Sequence, residues 1–395
     1  MDKQKLLAGL NASAFTGSQI ALVPLFAYLA ERLGLPLAQV LVAFALGSAI
    51  FVWGSPYWAQ KSDAVGRARI LFVGAAGLGA SLATLSIAIF FGSGMAPYAS
   101  FGCLIASRLL YGVCASAMAP VAQAWQSDLN SADEQNAAMA RHSLFLSAGR
   151  LGALLLVVAL AAHPEILLLG LTGSAAVLAV LNSRAAARAV PAARAARIQT
   201  APPSLLLVWP IFALAFFFTS SVELVNSSLS GLLQQIFGLT SGEAARFVGQ
   251  LLLTASAIVM LSQIAARNLL RRSWRTPLIA GLLFLAGGAA TLLASSSRAE
   301  VWIALGLISV ALGLIPPSYL SALAGTDVSR SERGKAAGFL ASTQTLGYAA
   351  GALLSAASFH FFPGDRGPAL LLTVAIAMGA GLYLLARARR PEGTR

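Results

Sequence analysis

Residues 54–71, GSPYWAQKSDAVGRARIL, place Asp63, Gly66, Arg67 and Arg69 within seven positions, between two long apolar runs. Only 10% of the 395 residues are charged, against about 25% in an ordinary soluble chain. A charge cluster at such a joint therefore stands out against its surroundings. Gly66 permits a tight backbone turn. Arg67 offers a planar fork of donors that can grip a carboxylate with two nitrogens.

Working outward, the composition decides the solvent. The chain is 58% hydrophobic and has no charge-rich stretch large enough to form a soluble domain. A bilayer accepts only helices or closed barrels as spanning elements. The apolar runs reach about 20 residues and do not alternate, which selects helices. The net charge of +13 does not mark a nucleic-acid binder, because the arginines lie in short loops between apolar runs, as the positive-inside rule predicts. Cys103 and Cys114 stand eleven residues apart on one expected helix, three turns and too far for a disulfide. Lys3 and Lys5 precede a first apolar run that is too long, and too polar inside, for a cleaved leader, so it is read as an uncleaved first helix.

The expected fold is an all-α polytopic membrane protein of twelve transmembrane helices, at about 6–30, 37–60, 70–91, 97–125, 139–162, 166–184, 205–236, 245–266, 277–295, 301–324, 336–361 and 369–387. With the N-terminus in the cytoplasm, 21 of the 27 Lys and Arg residues fall on the cytoplasmic side, so both termini are expected inside a cell (inner) membrane. Residues 185–204, AAARAVPAARAARIQTAPPS, form a basic, proline-containing cytoplasmic linker. It divides a six-helix bundle, 1–184, from a second one, 205–395, which ends in a short cytoplasmic tail. The halves echo each other: Glu134 and Gly149 are repeated as Glu332 and Gly347 at a constant offset of 198, the weak internal symmetry expected of transporters built from repeats.

The loop at 59–69 resembles motif A of the major facilitator superfamily, G-x-L-x-D-R-x-G-R-R/K between the second and third membrane helices. Ala59 stands in place of the usual Gly and Lys61 in place of Leu, while the spacing of Asp63, Gly66 and Arg67 is kept. Arg108 and Gly112 resemble the R-x-x-x-G of motif B on the fourth helix, associated in the family with proton coupling. Gly149 and Gly152 are similar to part of motif C, the Gly-Pro signature of proton-coupled exporters, with Ala153 near the place of the proline. The resemblance implies the two-bundle facilitator fold, alternating access and the branch of drug:proton antiporters and siderophore exporters. It also implies that an acid at the end of the fourth helix, here Asp128, pairs with Arg67 and latches the cytoplasmic side. Asp63, Gly66, Arg67 and Asp128 are thus the expected cytoplasmic gate.

Ionisable residues inside spans are the other candidates, because each is costly in lipid. Arg108 falls at mid-membrane and serves coupling or substrate contact, or else is a structural arginine bonded to Asn11, Thr16 or Gln19 on the first helix. Arg150, also near midplane, is a candidate for substrate contact, with Tyr348 in the matching place of the second half; helix packing is the alternative for both. Glu223 is the one acid well inside a span. A carboxyl group held from water retains its proton more readily, so it is the candidate proton carrier, unless it lies wetted near the periplasmic mouth or pairs with an arginine. Asn226 shares its helix face, and Gln234 and Gln263 are weaker polar candidates. His142, His163 and His360 have no metal-ligand spacing, and no nucleophile elbow, HExxH, CxxC or phosphate loop occurs. Neither an enzyme nor a cofactor or metal is expected. Two arginines against one acid favour export of a small anionic, siderophore-like solute in exchange for protons, by a monomer whose partners are the bilayer, the solute and protons. Efflux of lipophilic cations, and import or facilitated passage through the same fold, are the alternatives.

Overall fold

The computed structural model describes residues 3–91, 94–131, 134–188, 205–270, 273–324, 330–362 and 367–387. All the regular structure among them is helical. The first apolar run is broken into α1 (Lys3–Leu22) and α2 (Phe26–Leu33), bent by 66°. Pro24 accounts for the break, since it has no N–H to donate and its ring would meet the carbonyl of Ile20. Gly34 then ends α2 at φ +62°. Next come α3 (Leu37–Val65) and α4 (Arg67–Phe91). The following span, Pro97–Asp128, consists of α5 (Pro97–Cys114), a tightened turn at Ala115–Ala117 and α6 (Met118–Asp128). The turn tightens where the ring of Pro120 would press on the carbonyl of Ser116. Then follow α7 (Gln135–Ala159) and α8 (Pro164–Arg188). The later helices are α9 (Leu205–Phe237), α10 (Ser241–Leu270), α11 (Arg275–Ala294), α12 (Arg298–Ala324), α13 (Arg330–Phe361) and α14 (Gly367–Arg387).

Each of the twelve expected stretches falls on one helix or one broken pair. Among the described residues, nine spans are long and apolar enough to cross a membrane, and the bent pair α1–α2 makes a tenth; α13 and α14 are outside that set. One expectation changes: Pro316 and Pro317, inside the tenth stretch, predict an interruption there, but α12 runs through them. A prolyl position in a membrane helix is tolerated where neighbours re-satisfy the freed carbonyls. Of the expected linker, residues 185–188 belong to α8; residues 189–204 lie outside the described set.

The chain forms two compact units. The first is Met1–Ile198 with Leu229–Gln250; the second is Gln199–Ser228 with Leu251–Arg395. In the first, α4 lies along α8 and α5, and α1 along α7 and α6. Its interior at one end is made of small and branched side chains, Ala8, Ala12, Ala68, Leu71, Ala117 and Val121, closed by Trp125. Asn11 and Asn182 exchange amide hydrogen bonds of 3.1 and 2.9 Å, and Asn182 also donates to the Leu71 carbonyl. This buried polar clasp joins α1, α8 and α4, as interhelical amides do in apolar surroundings. In the second unit, α11 lies along α12 and α14.

Glycines set the closest approaches. A Cβ at Gly149 of α7 would overlap the backbone of Ser13 on α1. A Cβ at Gly347 of α13 would overlap Thr219 and the Phe216 carbonyl on α9. The two glycines 198 residues apart thus make the same kind of contact, each with the helix that opens its half of the chain. Outward-facing positions are apolar: Leu144, Leu261, Ile264 and Leu283 are exposed. Such a surface suits hydrocarbon, whereas in water a patch of this kind marks an interface.

Candidate functional site

The joint between α3 and α4, residues 59–67, forms a compact polar knot. α3 ends at Gly66, whose φ of +104° is a conformation that a side chain would strain; its N–H donates to the Ser62 carbonyl over 3.0 Å. The turn starts α4 at Arg67, facing back on the end of α3. Arg67 Nη2 lies 2.5 Å from Asp63 Oδ1, and its Nε donates to Asp128 Oδ2 over 2.7 Å. Its Nη1 donates to Ser62 Oγ at 2.5 Å and to the Ala59 carbonyl at 3.5 Å. Ser62 Oγ in turn donates to that same carbonyl over 2.6 Å. One guanidinium thus joins three elements, α3, α4 and α6. The Arg67 side chain is 18% exposed and that of Asp128 52%. The Arg67–Asp128 pair is therefore half wet and can exchange with water, while the Asp63 and Ser62 side is more enclosed. Asp63, Gly66, Arg67 and Asp128 are brought together; Ser62 is a member that sequence reading did not single out.

Arg108, on α5, is 2% exposed. Its Nη2 donates to Ser81 Oγ on α4 at 3.1 Å and to Ser107 Oγ at 2.9 Å. Its guanidinium carbon lies 4.4 Å from the ring centroid of Phe44 on α3 and 5.3 Å from that of Tyr111, within cation–π range. Among the described residues no carboxylate comes within ion-pair distance of it, and its Nε is buried without a hydrogen bond. The partners expected on the first helix do not hold this guanidinium, because serines on α4 and α5 take their place. Asn11 is committed to Asn182, and Gln19 faces the Tyr111 hydroxyl. Gly112, the second residue of R-x-x-x-G, lets α5 press on α3: a Cβ there would meet the Gly47 carbonyl at 2.7 Å and Ile50 at 2.9 Å. Phe15, Phe51 and Tyr111 stack beside it, with centroids 5.5 to 6.4 Å apart.

Arg150 lies on α7 in the first unit, partly exposed, and Tyr348 lies on α13 in the second, 40% exposed. Glu223 is partly buried on α9. Ser227, one turn on, donates to Glu223 Oε1 over 3.1 Å, and Asn226 faces the same carboxylate. A Cβ at Gly351 of α13 would meet Glu223 Cβ at 2.8 Å, so α13 covers one side of this residue. Gln234 is partly exposed and Gln263 exposed. Among the described residues no group of His, Cys, Asp and Glu has the makings of a metal site. Residues missed by sequence reading are Ser81, Ser107, Asn182, Gln126 and Asn130. Their short polar side chains carry no motif, and only their neighbours on other helices give them a role.

A family model described as Major Facilitator Superfamily matches residues 7–352. No curated protein sequence matches. Among solved structures, the chain is similar to the nucleoside transporter NupG, with 13% identity, 99% of this chain and 100% of that one covered, and a TM-score of 0.75. It is similar to a bacterial homologue of the iron transporter ferroportin in the inward-facing state (16% identity, 98% of each chain, TM-score 0.72). It is similar also to the human organic anion transporter MFSD10 (TETRAN), with 18% identity, 97% of this chain and 100% of that one, and a TM-score of 0.64. At these identities the likeness is one of fold.

Proposed function

Because the chain belongs to the Major Facilitator Superfamily, and so is a multi-pass membrane transporter rather than an enzyme, we propose that it exports a small anionic solute in exchange for protons by alternating access. The observation that carries this reading is Arg108. It is a guanidinium sealed inside an apolar span, and no carboxylate among the described residues stands within ion-pair distance of it. An uncompensated positive charge in a low-dielectric bundle acts over longer distances than it would in water. It draws anions and repels the lipophilic cations that a drug exporter would carry. Arg108 is enclosed by Phe44, Tyr111 and serines, so it acts through its field, and Arg150, partly exposed at similar depth, is the arginine that touches the solute. Glu223, with Ser227 and Asn226 beside it, is the proton carrier. Tyr348 and Gln19 contribute polar contacts along the solute path. Twelve crossings, both termini in the cytoplasm of a cell (inner) membrane and a working monomer complete the proposal. The structural relatives are a nucleoside transporter, a bacterial homologue of an iron transporter and an organic anion transporter, so the choice of solute rests on this chain's own charges.

The gate follows from the same fold. Arg67 bound to Asp63 and Asp128 ties α3, α4 and α6 at one end, and releasing the half-wet Asp128 arm biases a two-state rocking motion.

The test is proton release from energised inside-out vesicles loaded with a pH-quenched dye, with carboxylate anions and lipophilic cations added one at a time. Dequenching by a carboxylate, lost in Glu223→Gln and in Arg150→Ala, is the expected result. Dequenching by cations alone would replace this reading with drug efflux. Silence toward every solute, together with uptake in a direct assay, would replace it with import or facilitated passage.

A further inference from the structure

A second polar cluster gathers on the Asp128 end of α6 and has no place in the transport reading. Lys5 Nζ, in the first turns of α1, donates to Asn130 Oδ1 over 2.8 Å. Arg141 Nη2, near the start of α7, donates to the same oxygen over 2.5 Å. Two cations are therefore held against one neutral amide. Around them Gln126 donates to the Lys5 carbonyl over 2.6 Å, and Asn130 donates to the Gln126 carbonyl. Neither cation is within ion-pair distance of a carboxylate among the described residues. Arg141 Nε and His142 Nδ1 are buried without hydrogen-bond partners. Lys5 and Arg141 are both partly exposed, so the cluster is open to a ligand.

Like charges drawn together are unfavourable where no described carboxylate stands within ion-pair distance of them, and an anion relieves the repulsion. Its chemistry follows from the donors. A flat carboxylate offers two oxygens. A tetrahedral phosphate offers oxygens in several directions, and it can take the Lys5 ammonium and in-plane N–H donors of the Arg141 fork together. The position agrees with this: α1 begins, α6 ends and α7 begins here, so the cluster sits where the chain leaves its apolar spans. That is the depth of lipid head groups, where basic clusters meet anionic lipid. We propose that Lys5 and Arg141, ordered by Asn130 and Gln126, bind a phosphate group, carried by an anionic lipid or free. Bound there, it ties the ends of α1, α6 and α7 beside Asp128.

The test uses the purified full chain in detergent and native mass spectrometry. Phosphatidylglycerol and phosphatidylcholine are titrated separately, and inorganic phosphate is then added as competitor. The expected result is that phosphatidylglycerol binds about tenfold more tightly than phosphatidylcholine. Lys5→Gln and Arg141→Gln each erase the preference, and Lys3→Gln, which removes an exposed charge from the same turn, leaves it intact. Inorganic phosphate that binds the native chain but not the variants, without any lipid preference, assigns the site to free phosphate. Arg141→Lys keeps the charge and retains at least part of the preference. If a glutamine variant fails to fold, the native chain with phosphate as competitor, together with Arg141→Lys, carries the test. The proposal is overturned if the native chain shows neither lipid preference nor phosphate binding, or if the preference survives in both glutamine variants.

Discussion

Each nitrogen of the Arg67 guanidinium has its own partner: Asp128 on Nε, Asp63 on Nη2, and Ser62 with the Ala59 carbonyl on Nη1. A lysine there keeps the charge but loses the fork. Arg67→Lys is therefore expected to slow transport by about tenfold with normal amounts of folded protein. Asp63→Asn, which leaves one arm of the fork facing a neutral group, should likewise express normally and slow transport. Initial rates per mole of reconstituted protein decide the matter, and native rates in both variants would remove the latch from the account. Arg108 sits in a different balance. Its charge is buried, and its hydrogen bonds go to two serine oxygens. Ser81→Ala would strip one acceptor from a buried guanidinium, a change of about 1–3 kcal/mol. A lower melting temperature in detergent is expected. An unchanged one would show that the Ser107 bond and the Phe44 face suffice by themselves.

At the scale of elements, helix contacts here are governed by the absence of side chains. Gly149 has the Ser13 backbone where a Cβ would be, and backbone cannot swing aside as a side-chain tip can. Gly152, three residues further on, has open space. Gly149→Leu is therefore expected to destabilise the α1–α7 contact by about 1–3 kcal/mol or prevent folding, while Gly152→Leu is tolerated. Thermal unfolding of the two proteins side by side reads the difference, and equal melting temperatures would refute the assigned packing. Gly347 predicts the same loss for α9 and α13. The bend between α1 and α2 belongs to this scale too, since one proline converts a single apolar run into two helices 66° apart.

At the scale of the whole molecule, the arginine distribution and the helix count make one prediction. With twelve crossings and both ends inside, a fluorescent protein fused after Arg395 should fluoresce and a phosphatase fused there should be inactive. A phosphatase inserted at Gly34 or at Ser296, in the short joints on the opposite side, should be active. The reverse pattern would overturn the orientation. Phosphatase activity at one end of the chain and not at the other would overturn the even number of crossings. The outcome bears on α13 most, because this helix is expected to span but is less apolar than the other expected spans.

The sequence by itself determined the solvent, the helical class and the position of the gate loop. Long apolar runs force helices in lipid whatever they pack against, and the spacing of Asp63, Gly66 and Arg67 is local enough to read along the chain. The same local logic placed the twelve stretches within a few residues of the observed helices, but not the breaks that divide α1 from α2 and α5 from α6, nor the unbroken α12. Partnership was a matter for the tertiary structure. That Arg108 rests on Ser81 and Phe44, that Asn11 answers Asn182, and that Lys5 and Arg141 converge on Asn130 depends on residues far apart in the chain. Hydrophobic periodicity carries no information about which polar residue on one helix will face which on another. In an apolar bundle that choice falls to rotation and close approach of helices, set by glycines such as Gly47, Gly112 and Gly149, and these become legible only when the helices are seen together.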